Sequence, residues 1–147
     1  MANILVVDDD EDICDLIRLK LTSMGHDVHV VHDGAAAVTA LHDQGVPTDL
    51  VLLDGMMPVM DGETTCRTLR ADPRTAGLPV LMLSARGTPQ DALRGRDAGA
   101  DGYIMKPFSP RDIAAQVVLA LERGRTPGGT ASAVPAEATG PRAGDRR

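Results

Sequence analysis

The chain has 147 residues, a net charge of −6, 43% hydrophobic residues, and one Phe, one Tyr and no Trp, which fits one globular domain with a core of Val, Leu, Ile, Met and Ala. The scarcity of rings argues against base-stacking nucleic-acid modules, and the acidic body repels nucleic acid and membrane surfaces while attracting cations. Cys14 and Cys66 lack zinc-site or CxxC spacing, and no leader or bilayer-length apolar stretch is visible, so a cytoplasmic location is expected.

The first apolar run, NILVVD (3–8), predicts a buried strand and stops at five consecutive acids, Asp8, Asp9, Asp10, Glu11 and Asp12. A helix follows, with Ile13, Leu16, Ile17, Leu21 and Met24 on one stripe, and Gly25 ends it. DVHVV (27–31) predicts a second strand and 35–44 a second helix. DLVLLD (49–54) predicts a third strand, DGETTCRTLRA (61–71) a third helix and LPVLMLS (78–84) a fourth strand. Two later helix starts share a pattern. TPQD puts Thr88 at the cap, Pro89 at the first helical position and Asp91 in the first turn, and SPRD repeats this with Ser109, Pro110 and Asp112. The fourth helix has Leu93 as its only large apolar residue and Gly95 inside, a weak anchor. DGYIMK (101–106) is a fifth strand, and a last helix over 110–123 is expected to bury Ile113, Val117, Ala120 and Leu121.

Short strands, apolar on both faces and alternating with helices, predict a parallel sheet covered on both sides by right-handed crossovers: a doubly wound α/β fold. From Gly124 the chain turns to Gly, Ala, Pro, Thr and Arg. The expectation is a domain over 1–123, a disordered tail over 124–147 and no second domain. Four tail arginines against Glu137 and Asp145 give +2, which leaves −8 on residues 1–123.

In such a sheet, function collects outside the carboxyl ends of the strands. The first strand ends in Asp8 and Asp9, the third in Asp54, the fourth in Ser84, and the fifth in Lys106 before Pro107. Carboxylates a few ångström apart repel by roughly 4 kcal/mol per pair at an effective dielectric near 20. The group therefore needs a cation, a proton or Lys106, and an all-oxygen, partly open site suits magnesium. Asp10, Glu11 and Asp12 sit where carboxylates cap a helix start. His26, His29, His32 and His42 do not combine with acids at a strand end and are expected at the surface or half-buried. Met56, Met57 and Met60 read as loop packing. Asp8, Asp10 and Asp12 match the first ligands of a calcium-binding helical-hand loop, but Ile13 stands where its glycine belongs and Leu19 where its glutamate belongs.

VVDDDED, LVLLDGMMPVMDG, PVLMLSA and DAGADGYIMKPF, each at a strand end, together resemble the receiver domain of bacterial two-component response regulators, similar to the single-domain chemotaxis type. The resemblance covers residues 3 to about 123 and implies a flavodoxin-like fold with strand order 2-1-3-4-5 and five helices. It implies that Asp54 accepts a phosphoryl group, and that Asp9, Asp54 and the backbone carbonyl of Met56 bind Mg2+ directly, with Asp8 acting through a metal-bound water. Ser84 would bond a phosphoryl oxygen, Lys106 would pair with the phosphoryl group, and the Lys106–Pro107 bond would be cis. Tyr103 would turn inward as Ser84 moves, reshaping the face made by the fourth helix, fifth strand and fifth helix. Met56 and Arg86 would tune the phosphoryl lifetime.

The implied partners are a sensor histidine kinase or histidine phosphotransfer protein and a downstream protein, with a phosphorylation-dependent dimer as one form of output. No nucleic acid or membrane is expected as a direct partner. The protein would be no enzyme beyond self-catalysed phosphoryl transfer and autodephosphorylation. Two other readings are a haloacid-type phosphatase, which shares the DxD but would need a Thr at Asp12, and a degenerate receiver serving as a binding scaffold. Turnover of a generic phosphate ester distinguishes the first, and a phosphorylation test the second.

Overall fold

The apolar runs pair as five parallel strands in a single sheet. The structure, a computed structural model, describes residues 1–57, 59–84 and 89–123, without the side chains of 89, 91 and 92. Strands β1 (Asn3–Val7), β2 (Asp27–Val31), β3 (Leu50–Asp54), β4 (Val80–Ser84) and β5 (Gly102–Met105) alternate with helices α1 (Glu11–Ser23), α2 (Gly34–Val38), α3 (Gly62–Ala71), α4 (Pro89–Ala98) and α5 (Pro110–Arg123). The strand order is β2-β1-β3-β4-β5. Val7 pairs with both Val31 and Leu53, Asp54 with Leu83, and Ser84 with Met105, so the carboxyl ends share one rim. Thr88, Arg86 and the tail from 124 lie outside the described residues.

Alternation along the strands splits the core in two. Ile4, Val6, Leu50, Leu52, Leu81, Leu83 and Ile104 meet Cys14, Ile17 and Leu21 of α1 and Ile113 and Val117 of α5. Leu5, Val7, Val51, Leu53, Val80 and Met82 meet Ala37 of α2, Cys66 and Leu69 of α3 and Ala98 of α4. Each fully buried Leu, Ile or Val contributes about 1.5–3 kcal/mol. With its two faces thus covered, the sheet is held as one rigid floor under the rim.

Several expectations shift at the helices. Leu16 is 36% exposed, while Cys14 takes its place on the buried side. At 100° per residue, Cys14, Ile17 and Leu21 centre the stripe, and Leu16 falls at its margin. The second helix changes at Thr39 into a π-type turn over Thr39–Asp43, where Gln44 N–H donates to the Thr39 carbonyl at 3.0 Å. In α5, Ala120 and Leu121 are only half-buried. They overhang a cleft of about 420 Å³ shared with Met1, Ala2, His26, Asp49 and Pro79 at the opposite rim.

The helix starts follow the sequence closely. Asp10 caps α1 by accepting from the Asp12 and Ile13 amides at 2.9 and 3.3 Å. Ser109 and Asp112 form a reciprocal capping box: Asp112 N–H donates to Ser109 Oγ at 3.1 Å, and Ser109 N–H to Asp112 Oδ2 at 2.9 Å.

Two glycines give opposite expectations. A Cβ on Gly62 would drive into the Asp54 carbonyl and approach Gly55 Cα at 2.8 Å, and backbone cannot yield as a side chain does. A Cβ on Gly95 would meet only Met82 Cγ at 3.6 Å, ordinary contact. Gly62→Ala is therefore expected to lower unfolding free energy by about 2–3 kcal/mol. Gly95→Ala should raise it by up to about 1 kcal/mol. Urea denaturation of both variants checks the pair, and equal effects would contradict this packing.

Candidate functional site

Strand register brings the acids together. Asp8 follows β1, and its N–H still donates to the Val31 carbonyl at 3.2 Å. Its Oδ1 accepts from the Asp10 amide at 2.9 Å. Asp54 closes β3, and its Oδ1 accepts from the Met56 amide at 3.3 Å. Asp8, Asp9 and Asp54 each place one carboxylate oxygen within 4.8 Å of the others. Asp8 is 0% exposed and Asp54 4%, while Asp9 faces solvent.

Lys106 supplies the cation. Its N–H donates to the Ser84 carbonyl at 2.6 Å, which docks the chain after β5 against the end of β4. Its Nζ donates to Asp8 Oδ2 at 3.1 Å and to Asp54 Oδ1 at 3.2 Å. The Lys106–Pro107 peptide bond is cis. Ser84 is half-buried at the end of β4. Tyr103 is half-buried against the α2–α3–α4 side of the core. Met56 is 57% exposed beside the acids, with its backbone next to the Asp54 carboxylate.

Burial and the neighbouring Asp8 charge push the Asp54 carboxyl up to about 6, against the pull of Lys106 and the Met56 amide. Burial disfavours the Lys106 ammonium, but the Asp8 and Asp54 carboxylates outweigh it and raise its pKa. One ammonium faces three carboxylates, an imbalance that fits a small divalent cation with oxygen ligands. Asp8, Asp9 and Asp54 are the side chains that could hold it.

The raised Asp54 value fixes a pH dependence. Between about pH 4 and 6 the folded chain keeps a proton on Asp54 that the unfolded chain has released. This group's contribution to stability is therefore full at low pH and lost as pH rises through that window. The loss amounts to ~1–2 kcal/mol once solvent screening is discounted. In metal-free buffer, Asp54→Asn should remove that slope. Unfolding curves of wild type and variant from pH 4 to 7 check it, and parallel profiles would refute it.

One set of contacts is absent from the sequence reading. His32, assigned there to no acid, lies with Nδ1 3.0 Å from the Asp8 backbone carbonyl. The Cys14 thiol donates to the same oxygen at 3.3 Å. No spacing rule links residues 24 apart across two strands, so only the register of β1 and β2 reveals the contact.

A family model described as the response regulator receiver domain matches residues 4–118. The chain belongs to the response regulator receiver domains. Among curated relatives, the receiver is 46% identical over 123 residues to the DNA-binding dual master transcriptional regulator RpaA of Synechocystis sp., covering 84% of this chain and 50% of that protein. It is 44% identical over 120 residues to the DNA-binding response regulator MtrA of Mycobacterium tuberculosis, covering 82% of this chain and 50% of that one. The chain thus spans about half the length of the curated relatives it matches.

Among solved structures, the receiver domain of Francisella response regulator 1452 superposes with a TM-score of 0.76 at 31% identity, covering 84% of this chain and 98% of that one. The chemotaxis response regulator CheY4 of Vibrio cholerae gives 0.76 at 30% identity, covering 82% and 99%. The doubly wound fold and its 2-1-3-4-5 order are those of the receiver. Among the described residues no helix is long and apolar enough to cross a membrane.

Proposed function

We propose that Asp54 is the phosphoacceptor of this receiver and that residues 1–123 form the phosphorylated unit. The observation that carries the reading is a buried carboxylate at the end of a central strand, 3.2 Å from a lysine ammonium and grouped with two further acids. A carboxylate oxygen of Asp54 attacks the phosphorus of a phosphohistidine on a sensor kinase or phosphotransfer protein. The O–P bond forms, the P–N bond breaks, and the imidazole leaves with the electron pair and takes up a proton. Asp9, Asp54 and the Met56 carbonyl would hold Mg2+ directly, with Asp8 through a water. That ion, when bound, supplies positive charge against the phosphoryl oxygens.

Lys106 and Ser84 have complementary tasks. Lys106 releases Asp54 Oδ1 and takes a phosphoryl oxygen. Ser84, at the same rim, donates its hydroxyl to another. The new group carries roughly −1.5 to −2 charge where a carboxylate stood, so this side of the rim reorganises. Tyr103, adjoining on β5, follows Ser84 inward, and the α4–β5–α5 face changes.

That face is built from elements that expose Leu93, Met105, Val118 and Leu119. It serves protein contacts or a phosphorylation-dependent dimer, in a cytoplasmic setting. DNA binding is named for the relatives. The net −8 of residues 1–123 repels a phosphate backbone, so we assign this part of the chain no direct nucleic-acid contact. Intact mass after incubation with magnesium chloride and a small-molecule phosphodonor tests the function. One added phosphoryl group, absent when magnesium is chelated, is the expected result. No addition to a folded protein would leave the binding-scaffold reading.

A further inference from the structure

The Asp8 carbonyl is a meeting point that phosphoacceptor chemistry does not itself require. Asp8 keeps its amide in the sheet, on the Val31 carbonyl, but its own carbonyl is held by side chains. His32 Nδ1 lies 3.0 Å away and Cys14 Sγ 3.3 Å away. A carbonyl only accepts, so the His32 hydrogen is on Nδ1. The Cys14 thiol, buried against the same oxygen, carries its own hydrogen and is the second donor.

The consequence lies in the peptide unit. The Asp8 carbonyl and the Asp9 amide belong to one rigid plane. The Asp8 carboxylate is already fixed, one oxygen by the Asp10 amide at 2.9 Å and the other by Lys106 at 3.1 Å. The tilt of the 8–9 plane then decides where exposed Asp9 projects relative to Asp8 and Asp54. Two donors on one oxygen fix that tilt. His32 is itself anchored, since it joins β2 directly to Asp33, whose carboxylate caps α2 by accepting from the Ala36 amide at 2.7 Å.

We propose that His32, with Cys14, is a positioning residue for the cation site: both donate to the Asp8 carbonyl and so hold the Asp8–Asp9 peptide plane with the two carboxylates converged on one ion. The inference rests on the magnesium reading above. It predicts an effect on metal affinity before any phosphoryl transfer.

The test is calorimetric titration of the full chain with magnesium chloride, without a phosphodonor. His32→Leu fills the space without donating and should weaken magnesium binding about tenfold. That is the low end for groups that orient metal ligands, because His32 is exposed. His32→Asn should recover most of the affinity, since its side-chain nitrogen is as many bonds from Cα as Nδ1. His32→Gln, whose nitrogen corresponds to Nε2, should not. In metal-free NMR spectra the Asp9 amide should shift in the Leu variant and return in the Asn variant.

If the Leu variant does not fold, the Asn–Gln contrast decides alone. A folded Leu variant that binds magnesium like wild type, or Asn and Gln variants with equal affinity, overturns the inference and leaves the magnesium reading standing. Wild type that binds no magnesium overturns both.

Discussion

Asp54→Asn is expected to end phosphorylation by a small-molecule phosphodonor, to below detection in intact mass, while leaving a folded and more stable protein. The amide keeps the shape of the carboxylate but has no lone-pair charge to attack phosphorus. Stability should rise because the native carboxyl stands at about 6, raised by burial and by Asp8, and a neutral group there removes that penalty. Without metal at pH 7 the gain should be ~1–2 kcal/mol after discounting for solvent. These opposite directions make the experiment clean, since lost phosphorylation in a more stable protein is not misfolding. Phosphoryl incorporation persisting in Asp54→Asn would place the acceptor on another residue.

Lys106→Met should produce the largest loss of stability among substitutions at the rim. The methionine can follow the lysine stem but lacks the ammonium that sits 3.1 Å from Asp8 and 3.2 Å from Asp54. Removing one partner leaves Asp8, with no exposure, as an uncompensated buried charge, which costs about 3–5 kcal/mol. Chelated samples near neutral pH should show the full loss. Two additions should restore part of it. Magnesium replaces the missing positive charge, and falling pH protonates Asp54, so the variant should gain stability as pH drops through the range near 6. Urea unfolding with and without magnesium measures this. A variant as stable as wild type under chelation would show that the lysine contacts contribute no net free energy.

The strand ends were legible because each is an apolar run that stops at a polar residue. Asp8, Asp54, Ser84 and Lys106 follow directly from that reading, and a parallel sheet puts such residues on one rim. Helix starts were equally readable, since Asp10 and Ser109 cap through their own side chains. What escaped depended on fine angular phase or on contacts between distant segments. Leu16 differs from its buried neighbours by a fraction of a turn. The π-type turn at Thr39–Asp43 has no composition that announces it. The carbonyl contact of His32 needs the register of β1 against β2 before it exists at all. Local chemistry is written in sequence, while the orientation of a peptide plane is written in packing.

The cleft at Ala120 and Leu121 has a practical consequence. It places the last turn of α5 beside Met1 and Ala2, on the side of the sheet away from the acids. At 1.5 Å per residue, the 14 residues of α5 span about 21 Å from Ser109 to that floor. A fluorophore attached at Met1 or at Glu122, exposed in the last turn of α5, would therefore stand clear of an incoming phosphodonor. It would still sit at the far end of a helix whose first turn borders the rim, a vantage from which to watch a signal leave the site without obstructing its arrival.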